Sequence, residues 1–495
     1  MWNRQDLISK AEKLKPELKH MTVRPVFRDG VRTLESETSI VLDFGNHYVG
    51  YFSFSASTEG SHQDAPALLR IKFCESEREL DEENDDYNGW ISKSWIQEEL
   101  IHVDDFSALV HLNRRYAFRY VKIEAISLSS KYNIVIEDAY ADTVTSADDN
   151  SVEVFGNNDL ERELDKVSIR TLRNCMQEVF EDGPKRDRRL WMGDLRLQAI
   201  SNYATFKDFN LVKRCLYLFA GCADDEGRIP ACLFISPNIV GDDTYMFDYS
   251  LFFIATLRDY MQYSGDEESV RELLPAAIRQ WELSKERFNG EDLIPDSDEI
   301  GWCFLDWNLD LNKQAGAQFV YIYSLKALKE IFIQLNELER LSELEEEIEA
   351  KTNAARKFLW DENKGLFVSG ADRQISYATQ SWAILADVLN GPQDYFELMN
   401  RLSKHGDTCP MITPYMNHVY VEALISAGMK EEAYIHMCYY WGGMVREGAD
   451  TFYELYDPND PNQSPYGSCA VNSYCHAWSC TPTYFLRIRH LTNGE

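Results

Sequence analysis

Through the first 145 residues, apolar side chains tend to fall at every second position, in short runs separated by turn-forming residues. Segments 39–45 (SIVLDFG), 49–57 (VGYFSFSAS), 67–75 (ALLRIKFCE), 117–126 (AFRYVKIEAI) and 132–141 (YNIVIEDAYA) are rich in Val, Ile, Phe and Tyr. A period of two sends one face of each run into a core and the other toward water, so they read as strands. Their spacing predicts an antiparallel β-sandwich. The acidic stretch 81–89 (DEENDDYNG) reads as a solvated loop between two of them.

Near residue 150 the period becomes helical, with apolar residues at i, i+3, i+4 and i+7. Helices are predicted over 158–180, 194–205, 208–222, 245–263, 267–288, 313–335, 338–360, 375–389, 393–404, 415–427, 430–442 and 472–490. Twelve helices with alternating short and long connections predict six hairpins closed into an (α/α)6 barrel. No fixed-period self-similarity favours a solenoid. The expected fold is mainly α with an N-terminal all-β domain: a β-sandwich over 1–150 and the barrel over 151–495. Loops 181–193, 223–244, 289–312, 405–414 and 443–471 are overlong, and ligand chemistry belongs among them.

Charge narrows the partners. Against 50 Lys+Arg stand 82 Asp+Glu, a net charge of −32, which disfavours phosphate backbones and anionic membranes. No nucleic acid and no membrane is expected; no apolar run reaches the roughly 18 residues a bilayer span needs. The polar N-terminal stretch has no signal-peptide core. Eleven cysteines with no C-x-x-C pair read as reduced thiols in the cytoplasm. Neither they nor the ten histidines fall in a metal pattern, so no metal or cofactor is expected. The 13% aromatic content fits a large core and equally a site that stacks sugar rings.

Candidate chemistry concentrates in carboxylates. Residues 181–194 hold four acids, four bases and Trp191, and arginines beside acids are how one carboxyl stays ionised while a neighbour keeps its proton. In 448–457 a single Glu, Glu454, lies between Tyr453 and Tyr456, a setting suited to a general base. Asp306 between Trp302 and Trp307 suits hydrogen bonding to sugar hydroxyls beside a stacking ring. Asp242, Asp243, Tyr245 and Asp248 open a helix, and His476 and Trp478 start the last one.

The loop DGPKRDRRLWMGD (182–194) resembles the signature D-C-P-x-R-(D/E)-x-R-L-x-W-x-G-D of the α-L-rhamnosidases of glycoside hydrolase family 78. FLDWN (304–308), GADTFYE (448–454) and SYCHAWS (473–479) resemble later motifs of that family, in the same order, and LDFGNHYVGYFSF (42–54) and FRYVKIE (118–124) resemble its β-sandwich. The resemblance implies inverting hydrolysis of terminal α-L-rhamnosides on small glycosides. It puts the general acid on Asp187, with Asp194 and Asp182 as rivals, and the general base on Glu454. Asp182, Arg186, Trp191 and Asp194 match sugar-holding residues, as do Asp306, Trp307 and His476; Trp302 and Tyr453 join them as aromatic neighbours. Many members carry Glu in place of Asp187 and Cys in place of Gly183. Hydrolysis of another deoxy sugar or a uronide on the same barrel, or a catalytically silent sugar-binding homologue, stand as alternatives. A homodimer is expected from the compact two-domain architecture.

Overall fold

A computed structural model of the chain describes residues 2–82, 84–148, 152–296, 303–460 and 463–493. Helix α1 (Arg4–Lys13) precedes nine strands: β1 (Lys19–Val23), β2 (Val26–Phe27), β3 (Thr33–Leu34), β4 (Ser39–Gly60), β5 (Ala67–Cys74), β6 (Glu98–Val103), β7 (Val110–His111), β8 (Tyr116–Ser127) and β9 (Tyr132–Thr145). They form one antiparallel sheet in the order β1-β9-β4-β8-β5-β6, with β2 and β7 on β4 and β3 on β9. The runs expected as separate strands at 39–45 and 49–57 are a single strand. Its first half, Ser39–Gly50, pairs with β8 and its second, Gly50–Gly60, with β9, and the register shifts between Asp43 and Tyr48. An irregularity of this kind bends a strand, so β4 serves both layers of the fold. Between the layers Phe44, Phe52, Phe73 and Phe118 meet with ring centroids 5.1–6.4 Å apart.

Twelve further helices follow: α2 (Asp159–Cys175), α3 (Met192–Ala204), α4 (Phe209–Gly221), α5 (Phe247–Ser264), α6 (Glu267–Ser284), α7 (Gln314–Leu335), α8 (Leu341–Phe358), α9 (Tyr377–Leu385), α10 (Pro392–Leu402), α11 (Pro414–Ser426), α12 (Lys430–Arg446) and α13 (Pro482–Arg487). Inner helices α3, α5, α7, α9 and α11 pack in succession, and the turn Ala477–Ser479 with α13 closes the ring back to α3. The inner helices are buried almost all round; α8 and α10, with four or five buried residues each, show one apolar stripe, as outer helices should.

Two expectations need correction. The first predicted helix stops at Cys175, not 180, because Met176 and Phe180 form an antiparallel bridge that turns the chain into the 181–193 loop. The last begins only at Pro482, not 472. From Tyr474 to Ala477 the main-chain N–H groups of 474, 476 and 477 bond Glu75, Phe452 and Asp182 instead of a helical ladder. Helix α1 packs on α4, with the Trp2 indole N–H donating to the Ala220 carbonyl at 2.8 Å. The boundary expected at 150/151 lies outside the described residues. No helix among the described residues is long and apolar enough to cross a membrane.

Candidate functional site

At the end of the helical ring that carries the long loops lies a cleft of about 370 Å³. Asp182, Arg186, Asp187, Trp191 and Asp194 line it from the first long loop and the start of α3; Glu454, His476 and Trp478 line it from the segments before α13. Sequence positions nearly 300 apart thus share one wall.

Arg186 organises the centre. Its guanidinium forms a buried ion pair with Glu454, lies 3.8 Å from the Asp187 carboxylate through a second nitrogen, and donates from Nε to the Val471 carbonyl at 2.8 Å. It also covers the Tyr466 ring at 4.1 Å, and the Tyr466 hydroxyl donates to the other Glu454 oxygen at 2.6 Å. Burial pushes Glu454 up, but the charges of Arg186 and His476 and these hydrogen bonds outweigh it and hold the carboxyl below its ordinary value. Glu454 is therefore an ionised, oriented acceptor.

Asp187 sits differently. It and Arg188 both occupy the left-handed backbone region, at φ 58° and 53°, a costly conformation outside glycine that persists where the surroundings enforce it. The Arg188 side chain supplies that enforcement, bonding the Pro184 and Arg115 carbonyls at 2.9 and 2.7 Å. Asp187 is also the most accessible acid of the predicted set lining the cleft, its side chain 23% exposed.

Deeper in, burial and then the charges of Asp187 and Asp194 push Asp182 well above the carboxylate range. One Asp182 oxygen accepts the Arg189 N–H at 3.1 Å. Asp194 is raised by burial against the opposing pull of His476, whose Nε2 lies 3.0 Å from its carboxylate. Gly183 fits its neighbours closely: a Cβ there would meet the Ser473 hydroxyl at 2.7 Å, so Ser473 fills space a larger residue would need. Trp191 meets Tyr249 edge-on, and Phe304 lies between Trp307 and Trp478 with centroids 5.6 Å from each. Aromatic rings and carboxylates thus line the same cleft.

Two predicted residues fall outside the cleft lining. The Asp306 carboxylate is consumed by four donors: the N–H groups of Trp307, Ile412 and Thr413 at 3.0–3.1 Å and the Thr413 hydroxyl at 2.6 Å. Burial raises it to about 6, against those bonds. It fastens the 303–307 loop to the N-terminus of α11. Tyr453 packs against Tyr456 and Tyr474 and lines a separate cavity between the domains. Trp302 lies outside the described residues. Asp242 lines the cleft, whereas Asp248 accepts the Phe304 and Leu305 N–H groups.

Sequence reasoning missed Trp90, Ile91, Trp95, Arg189, Tyr249 and Tyr466, all in the lining. The 84–95 stretch is not a freely solvated loop: Asn84 is buried and Tyr87 donates to the Tyr466 carbonyl at 2.9 Å. The only signal was its two tryptophans. The β-domain braces both loops that line the cleft. Arg115 grips Glu181 with two bonds of 2.8–2.9 Å, Glu79 pairs with Lys185, and Glu75 accepts the Tyr474 N–H at 2.7 Å. All eleven cysteines are free thiols, and among the described residues no three acidic, His or Cys groups are placed to hold a metal ion.

Residues 9–143 match the glycosyl hydrolase family 78 alpha-rhamnosidase N-terminal domain, and 152–489 the bacterial alpha-L-rhamnosidase 6 hairpin glycosidase domain. The structure is similar to that of a rhamnosidase from Klebsiella oxytoca with rhamnose bound, at 42% identity and TM-score 0.94 over 98% of this chain and 99% of that one. A family 78 rhamnosidase of Bacillus sp. GL1 is 22% identical, covering 97% of this chain and 48% of its own, with TM-score 0.77. The alpha-L-rhamnosidase of Streptomyces avermitilis complexed with L-rhamnose is 15% identical over 96% of this chain and 44% of that one, with TM-score 0.70. The last two are likenesses of fold alone. No curated protein matches the sequence.

Proposed function

The chain belongs to the α-L-rhamnosidases of glycoside hydrolase family 78, and on that premise we propose that it releases terminal α-L-rhamnose from small rhamnosides by single displacement with inversion. Asp187 gives its proton to the glycosidic oxygen as the bond from C1 to that oxygen breaks and its electron pair goes to the oxygen. On the opposite face Glu454 takes a proton from water, whose oxygen forms the new bond to C1. Rhamnose of inverted anomeric configuration and the free alcohol leave, and solvent exchange returns the proton from Glu454 and resupplies Asp187.

The observation that carries this reading is the Arg186 guanidinium, with one carboxylate on each of two nitrogens. It contacts both acids, and its charge holds Glu454 ionised as a base must be. Asp182 and Asp194, in the buried lining, suit hydrogen bonding to sugar hydroxyls, with His476 3.0 Å from Asp194. The aromatic wall of Trp191, Trp307 and Trp478 suits the C–H faces and methyl group of a 6-deoxy sugar. Eleven free thiols suit a reducing compartment such as the cytoplasm.

The test is hydrolysis of p-nitrophenyl α-L-rhamnoside and of a rhamnoside with an alkyl or sugar aglycone by wild type, Asp187→Asn and Glu454→Gln. Wild type turns over both, and each variant loses on the order of a hundredfold or more on the second substrate. Asp187→Asn is partly spared on the aryl substrate, whose good leaving group needs less protonation. No turnover on any rhamnoside overturns the function; an unimpaired Asp187→Asn moves the acid to Asp194.

A further inference from the structure

A site for a terminal sugar is blind at one end, so depth orders its ligand: the glycone enters first and the leaving group faces the mouth. Burial gives that order here. Asp182, Asp194, His476, Glu454 and Trp478 are all 5% exposed or less. Asp187 is intermediate. Trp90, from the β-domain, is 68% exposed, with partly exposed Ile91 and Trp95 beside it in the same lining.

Trp90 is exposed and yet fixed. Its indole N–H donates to the Pro465 carbonyl at 2.8 Å, and its ring lies 5.3 Å from that of Tyr466. The backbone before it lies directly on the 463–472 segment: a Cβ on Gly89 would come within 2.1 Å of the Tyr466 carbonyl. Beyond it, Ser92 caps the short turn Lys93–Trp95. A large apolar ring held in water at a cleft mouth loses side-chain freedom without burying its surface, and a ligand ring supplies the missing contact.

Resting on the rhamnosidase reading above, we propose that Trp90, Ile91 and Trp95 of the β-domain form the aglycone subsite, and that it selects rhamnosides whose leaving group is a flat aromatic ring. The subsite carries no side-chain charge of its own and offers two indole faces, so ring stacking rather than ion pairing is its recognition chemistry.

The full-length protein is assayed with p-nitrophenyl α-L-rhamnoside, which has an aglycone ring, and α-L-rhamnosyl fluoride, which has none. The quantity read is the ratio of the two kcat/KM values in wild type, Trp90→Ala and Trp90→Phe. Loss of one stacking partner lowers the aryl-to-fluoride ratio on the order of tenfold in Trp90→Ala, chiefly through KM, and Trp90→Phe restores most of it. An unchanged ratio overturns the subsite, including the case where both substrates fall together because Trp90 merely supports Tyr466. Wild type that hydrolyses neither substrate overturns the rhamnosidase reading and the subsite with it.

Discussion

Arg186 does for Glu454 what burial alone would undo. A carboxyl this buried rises in pKa, and an adjacent guanidinium lowers it; here the guanidinium wins, and Glu454 lies below its ordinary value. The acidic limb of kcat/KM, which reports ionisation of the base in the free enzyme, therefore falls below pH 4.5 in wild type. In Arg186→Gln burial acts with less opposition, so the limb moves to higher pH, read from a pH–rate profile on an aryl rhamnoside. A limb that stays in place assigns the base elsewhere. Asp187 shows what a sequence conveys at this scale. Its candidacy was legible because acids and arginines crowd one loop, but the two consecutive left-handed residues that aim it left no trace in residue type. Aspartate and asparagine tolerate that conformation better than most, which makes Asp187→Asn a clean chemical substitution.

The ring of helices was readable because each hairpin repeats a 3.6-residue apolar period, and predicted helices such as 267–288 and 313–335 match α6 and α7 to within a few residues. The segment 472–481 was misread because its apolar residues pack on several elements at once while its main chain serves the site; Pro482, a favoured first helical residue, marked the true start. Asp306 shows a related limit of local pattern. An acid between tryptophans looks like a sugar ligand, whereas its actual partners, Ile412 and Thr413, lie a hundred residues away and no local pattern reveals them. Three bonds converge on Oδ1 and one on Oδ2. Asp306→Asn can keep the three, and costs about 1 kcal/mol; Asp306→Ala strands buried N–H groups and costs about 3 kcal/mol. Urea unfolding midpoints measure this. A rise in KM with unchanged stability would instead make Asp306 a substrate ligand.

At the scale of the whole molecule, the β-domain is part of the active site's construction. Its Glu75, Glu79 and Arg115 hold residues of both cleft-lining loops, at 181, 185 and 474, and its 84–95 stretch supplies one rim of the cleft. Sequence periodicity separated the sheet from the helices, but docking between them rests on single polar contacts that obey no period. Asp187 and Glu454 each meet one terminal nitrogen of Arg186, and the proposed inversion is the central claim to test. The most direct measurement is the anomer of the rhamnose first released from an α-L-rhamnoside, followed by proton NMR before mutarotation scrambles it. The account predicts β-L-rhamnose appearing first and the α anomer growing in later. If α-L-rhamnose appears first, the reaction runs with retention, and Asp187 and Glu454 are not an inverting acid–base pair.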